Sequence, residues 1–159
     1  MQIMKIKIVQ VGKTKDSYME TGIQEFLKRL KSFADVEIVT LKEEKTTATF
    51  TVAQCKGKEA VEILRNLKSE DFVVVLDENG KEKNSKEFAE LISKYKNLGQ
   101  SMSFVIGGPF GLTDAVRERA DLVLSLSKMT FTHQMIRIFL LEQIYRGFCI
   151  IAGKEYHHD

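Results

Sequence analysis

Residues 126–134, LSKMTFTHQ, set apolar Leu126, Met129 and Phe131 between small polar residues. Such a segment can do two things. Its side chains can wall a flat heteroaromatic ring while its backbone N–H and C=O groups read the ring edge, which suits adenine. Alternatively, the three apolar side chains pack inward as ordinary core. A second stretch, GGPFGL at residues 107–112, follows the apolar run Phe104, Val105 and Ile106. Gly107 and Gly108 admit close backbone approach by a ligand, and Gly111 permits a sharp exit; a plain strand-to-helix turn uses the same glycines. Neither GxGxxG nor a Gly-Lys-Ser/Thr phosphate loop is present, which disfavours a phosphate cradle. Titratable groups follow in His133, Arg137, Glu142 and Arg146. Glu142 and Arg146 have the spacing of an intrahelical ion pair.

The elements that must position these loops are legible in the periodicity. Alternation or continuous apolar character predicts strands over 3–11, 36–41, 71–76, 102–106 and 121–125. Helical spacing predicts helices over 16–33, 54–67, 84–97, 114–119 and 132–146. Asn84 with Glu87 reads as a capping box and Thr113 as an N-cap. DENGK at 77–81 reads as a turn, with Asn79-Gly80 suited to positive φ, and KEEKTTATFT at 42–51 as an uncapped surface loop. Strands alternating with helices imply an α/β sandwich with a largely parallel sheet. Ligands bind beyond the carboxyl ends of such strands, here just after Leu76, Ile106 and Ser125.

A length of 159 residues suits one domain. Apolar content is 43%, charged content 29%, and no apolar run reaches the ~18 residues of a membrane span. The alternating N-terminus lacks the apolar block of a secretory signal, so a cytoplasmic location is expected. Cys55 and Cys149 have no ligand spacing, and no metal is expected. A net charge of +2 excludes nucleic-acid binding driven by bulk charge alone, although Lys5, Lys7, Lys13 and Lys15 form a candidate patch. The last helix carries Met135, Ile136, Ile138, Phe139, Leu140, Leu141, Ile144 and Tyr145, leaving almost no polar face. A helix apolar all round is buried. A second copy of the chain is the simplest cover, which predicts a homodimer; the alternative is a central helix in a monomer.

LDENGK…NSKEFA, FVIGGPFGL, LSLSKMTFTHQMIRIFLLEQIYRGF and the terminal G.EYH occur in that order. Together they resemble the large-subunit ribosomal RNA methyltransferase H family of the SPOUT superfamily, over essentially the whole chain. The resemblance implies one SPOUT domain over 1–159, with a trefoil knot in about 71–159, a rare exception to unknotted topology. It implies S-adenosylmethionine bound bent against Leu76, Gly107 and the run Leu126, Ser127, Lys128, Met129, Thr130 and Phe131. It also implies a homodimer that methylates N3 of a pseudouridine in helix 69 of 23S rRNA, within the assembled ribosome. Tyr156 and His157 match the family's terminal pair and are expected to close the site and handle the target base. Arg146 is expected to steady RNA phosphate or the imidate. A frayed terminus is the plain alternative for the pair.

The chain departs from the family pattern at Thr132, where proline is common and where threonine can cap the helix instead. Pro109-Phe110 fill a variable pair, and the ending His158-Asp159 lacks the usual basic residue. His157, His158 and Asp159 are a weak metal signal. Two rival functions remain in view: a different nucleotide-binding α/β enzyme, and a ribosome-associated RNA-binding module without catalysis.

Overall fold

The alternation in the first strand carries through to two separate cores in the computed structural model, which describes residues 2–158. The strand β1 (Met4–Val11) sends Met4, Ile6 and Ile8 into one apolar cluster and Val9 and Val11 into the other. Successive side chains point to opposite faces of a sheet, so a strand covered on both faces must be apolar at both parities. The remaining elements are α1 (Ser17–Leu30), β2 (Ala34–Leu41), α2 (Val52–Arg65), β3 (Phe72–Glu82), α3 (Ser85–Asn97), β4 (Met102–Ile106), α4 (Asp114–Arg119), β5 (Leu122–Ser125) and α5 (Met135–Ala152). The sheet order is β2-β1-β4-β3-β5, and every pairing in it is parallel, in line with the predicted α/β sandwich.

Helices α1, α3 and α5 cover one face through Ile23, Ile92, Leu140 and Phe148. Helices α2 and α4 cover the other through Ile63 and Val116. Between them β4 is buried at all five positions. Its one polar residue is satisfied, because Ser103 Oγ donates to the buried Asp71 at 2.8 Å. Each fully buried Val, Ile, Leu, Phe or Met contributes about 1.5–3 kcal/mol relative to exposure.

Three features differ from the sequence expectation. DENGK does not end the third strand. Leu76 and Lys81 both pair with Leu124, so residues 77–80 bulge outward before the ladder resumes. Gly80 does not adopt positive φ; a Cβ there would lie 2.6 Å from the Val123 carbonyl, so it is close approach to β5 that requires glycine. Second, the segment before α2 does carry a cap: Thr51 Oγ1 accepts from Gln54 N–H while Gln54 Oε1 accepts from Thr51 N–H. Third, α5 starts later than expected and continues through Ile150 and Ile151, which the sequence left in the tail.

Within one chain α5 is flanked on both sides. A Cβ on Gly22 of α1 would meet Ile138 at 3.3 Å, and one on Gly147 of α5 would meet Ile92 of α3 at 2.9 Å. These small residues let the helices approach closely enough to bury Leu140, Leu141, Ile144 and Phe148. Much of the burial expected from a second copy is therefore supplied by α1 and α3. Phe131 in the loop before α5 and Met135 at its start remain 39% and 38% exposed.

Candidate active site

The carboxyl ends of β3, β4 and β5 lie side by side, and the loops leaving them form one wall. Their positions follow from the register, in which Val75 pairs with both Val105 and Val123. After β4 the chain turns through Gly107–Gly108, where Gly111 N–H donates to the Gly108 carbonyl at 3.0 Å and Gly111 takes φ 80°. A Cβ at Gly107 would sit 2.9 Å from Leu112 Cγ. Beyond β5, Ser125 Oγ donates to the Ser127 carbonyl at 2.7 Å, and Met129 N–H donates to Ser127 Oγ at 3.0 Å. Among the described residues, the backbone groups of 128–131 make no backbone–backbone hydrogen bond. Apart from the Met129 N–H, which Ser127 Oγ occupies, they are available to a ligand.

A cavity of about 870 Å³ opens between these loops and is lined by Leu76, Gly107, Leu126, Ser127, Met129, Thr130 and Phe131. Of the residues expected around a cofactor, only Lys128 is outside this lining. The bulge of β3 contributes Asp77 and Glu78. Burial works against the Asp77 carboxylate, but the Asn79 N–H at 2.9 Å and the Arg117 guanidinium at 2.8 Å hold its carboxyl below the ordinary range. Glu78 accepts from Thr130 Oγ1, tying the bulge to the loop after β5.

A second cavity, also about 870 Å³, shares Leu124, Leu126, Ser127 and Phe131 with the first and reaches Lys83, Lys86 and His157. Here the tail folds back on α5. Tyr156 Oη donates to Glu142 at 3.1 Å, Arg146 pairs with the same carboxylate, and the Arg146 guanidinium lies 4.8 Å from the Tyr156 ring centre. Arg146 Nη1 is 3.3 Å from His157 Nδ1. Burial, followed by the charge and hydrogen bond of Glu142, raises the Tyr156 phenol, so it remains a donor at neutral pH. The Glu142–Arg146 spacing does form an ion pair, and the tail brings Tyr156 and His157 to the same guanidinium. His158 is exposed, and Asp159 lies outside the described residues. No group of three potential metal-ligating side chains occurs among the described residues.

A family model described as predicted SPOUT methyltransferase matches residues 4–157. A ribosomal RNA large subunit methyltransferase H from Caldicellulosiruptor saccharolyticus is 44% identical over 152 residues, covering 96% of this chain and 99% of that protein. Its counterpart from Enterococcus faecalis is 44% identical over 158 residues, covering 97% and 99%. The chain belongs to the ribosomal RNA large subunit methyltransferase H family of SPOUT methyltransferases. The fold is also similar to a methylase-family protein from Haemophilus influenzae, at TM-score 0.56 and 14% identity, over 97% of this chain and 70% of that one. A Legionella pneumophila methyltransferase solved with its cofactor SAM matches at TM-score 0.50 and 12% identity, over 91% of this chain and 66% of that one.

For a SPOUT methyltransferase the first cavity has fitting chemistry. Apolar Leu76, Leu126 and Phe131 offer walls, free backbone groups offer an edge for adenine, and Asp77 and Glu78 offer negative charge to a cationic sulfonium ligand. The sequence reading missed what holds this wall from behind. Gln134, buried beside the cavity, donates to the Lys13 carbonyl at 3.0 Å and accepts from Lys15 N–H at 3.0 Å. Arg137, also buried, donates to the Val11 carbonyl at 2.8 Å and to Thr14 Oγ1 at 3.0 Å. Partners 119 to 126 residues apart leave no signal in local spacing. Thr132 Oγ1 accepts from Met135 N–H at 3.1 Å in the turn before α5, but the N-cap position itself is Gln134, whose side chain makes no cap, so the expected threonine cap lies one turn outside the helix. The basic patch of Lys5, Lys7, Lys13 and Lys15 is divided. Lys7 Nζ donates to the Asn66 carbonyl at 3.0 Å, and Lys5 and Lys13 lie near opposite ends of β1, a strand of 8 residues or roughly 26 Å.

Proposed function

We propose that this protein transfers a methyl group from S-adenosylmethionine to N3 of a pseudouridine in helix 69 of 23S rRNA, on the assembled ribosome. The observation that carries the reading is the convergence of Gly107, Leu126, Ser127, Met129, Thr130 and Phe131 on one cavity, in a chain about 44% identical to large-subunit rRNA methyltransferases. The bound cofactor supplies an electrophilic methyl on sulfonium sulfur. Transfer is a displacement that depends chiefly on alignment, and the protein's part is to hold donor and acceptor in line.

In this reading Leu76, Gly107, Leu126, Ser127, Met129, Thr130 and Phe131 hold the cofactor, with Lys128 at the rim. Tyr156, His157 and Arg146 close the acceptor side, which the shared lining of the two cavities supports. Arg146, already committed to Glu142, steadies phosphate or the imidate through its remaining donors. The enzyme acts in the cytoplasm as a homodimer, with the exposed Phe131 and Met135 facing the second copy. The span 71–159 carries the trefoil knot within one SPOUT domain covering the chain. A ribosome-sized target also suits a net charge of +2, because a weakly charged dimer gains affinity from an extended surface and not from phosphate contacts alone.

The test is transfer of labelled methyl groups to ribosomes lacking the modification, followed by mapping of the modified nucleotide. Label at a helix 69 pseudouridine is expected. Label elsewhere, or binding without transfer, overturns the assignment and favours a non-catalytic module in the second case.

A further inference from the structure

The wall that carries the cofactor loop ends in three buried polar atoms with no hydrogen-bond partner: His133 Nε2, Glu43 Oε1 and Arg137 Nε. Buried polar atoms are normally paired, so an orphaned set calls for a role. These three belong together. Glu43 acts electrostatically on both His133 and Arg137, and the missing Cβ of Gly12 admits Glu43 Oε1 to within 3.4 Å of where that atom would be. Arg137 is anchored next to Gly12, at the Val11 carbonyl. His133 itself is half-buried and lines the cavity that receives the three strand ends. Its neighbours Gln134 and Arg137 fix it against the loop after β1.

We propose that His133 is a catalytic residue, the acceptor of the N3 proton of the target imide, and that Glu43 is the positioning residue behind it. The inference rests on the methyl-transfer reading above. The N3–H bond breaks with its proton going to His133, the N3 electron pair forms the new N–CH3 bond, and the pair of the broken carbon–sulfur bond stays on sulfur. The imidazolium then releases its proton to solvent. The Glu43 carboxylate acts on the imidazole through its charge and stabilises the protonated form.

The electrostatics suit a base. Burial lowers the His133 imidazole below its ordinary value, the charge of Arg137 lowers it further, Glu43 opposes this, and Lys15 adds to the lowering. His133 is accordingly neutral at pH 7, ready to take a proton. Tyr156 cannot serve, because its phenol is raised and donates to Glu142.

The histidines are first titrated by NMR in the protein without cofactor, as wild type and as Glu43→Gln. His133 is expected to titrate below 6.5, and lower still in E43Q, where the opposing carboxylate charge is gone. The pH dependence of kcat for methyl transfer to ribosomes is then measured. Wild type should lose activity as pH falls through the His133 value, and E43Q should move that acid limb to lower pH. His133→Asn should lower kcat on the order of 100-fold, abolish the limb, and leave SAM affinity by calorimetry within about twofold. The proposal is overturned if H133N keeps kcat and the limb, or if E43Q leaves both titration and limb unmoved. E43Q decides the matter if H133N does not fold. Absence of any methyl transfer by wild type sinks the activity reading instead, and takes this inference with it.

Discussion

The Tyr156 hydroxyl donates to Glu142 across 3.1 Å, so the tail is fastened to the same carboxylate that pairs with Arg146 on α5. One acid thereby orders two groups expected at the acceptor side of the site. Tyr156→Phe removes this bond while keeping the ring over Arg146. Stability should fall by only about 0.5–1.5 kcal/mol, since the net worth of a hydrogen bond is modest. Methyl transfer should drop at least tenfold with SAM affinity unchanged. Unaltered kcat in Y156F would remove the tail from the acceptor side.

Gly107 is the second test. Its absent Cβ would approach Leu112 Cγ to 2.9 Å, so Gly107→Ala must push Leu112 or narrow the cavity. Overpacking of this kind costs about 1–3 kcal/mol. Calorimetry should show SAM affinity weakened roughly tenfold. Wild-type affinity in G107A would place the cofactor elsewhere.

Two further glycines separate backbone from side-chain crowding. At Gly80 the added methyl meets the Val123 carbonyl at 2.6 Å, whereas at Gly147 it meets the tip of Ile92 at 2.9 Å. A side-chain tip can rotate, but a carbonyl in the β3–β5 ladder cannot. Alanine in a helix also gains about 1 kcal/mol over glycine. Urea denaturation should therefore rank G80A as clearly destabilised and G147A as close to wild type. The reverse order would contradict the bulge geometry.

Glu59 supplies a pH prediction. It is buried on α2 and accepts from Glu44 N–H at 3.0 Å. Burial raises its carboxyl, the Glu44 N–H opposes this, and the charges of Glu43 and Glu44 raise it further. The folded value thus lies above the unfolded one, and the folded state binds the proton more tightly. This contribution to stability is fully present below the unfolded value of 4.5 and is lost as pH rises through the folded value. Glu59→Gln keeps an acceptor for Glu44 without the charge. It should be more stable than wild type at pH 7, with the gap closing as pH falls toward 4.5. A pH-independent gap would show that the folded carboxyl is not shifted.

By itself the sequence determined the class of fold and the loops to watch. Val73, Val74 and Val75 are apolar at both parities because their strand is covered on both faces, and that property is written locally. The caps at Asn84 and Thr113 span three residues and were equally legible. So were the glycine turn and the apolar loop of Leu126 and Phe131, whose order along the chain also carried the family resemblance. Local reading failed where a distant partner overrode it. DENGK reads as a turn, yet pairing with β5 recaptures Lys81 and Glu82 into the strand. The terminal CIIA reads as a tail, yet Phe33, in the turn after α1, stacks on Phe148 at 5.5 Å and the helix runs on to Ala152.

Only the tertiary structure decided which apolar face α5 shares with α1 and α3, and that Arg137 is a buried anchor for the loop after β1. It also brought His133, Glu43 and Gly12 to one place from three segments. The physical reason is range. Periodicity, caps and turns express energies between residues a few positions apart. A buried arginine or an orphaned histidine is defined by neighbours that only the closed sheet brings within reach.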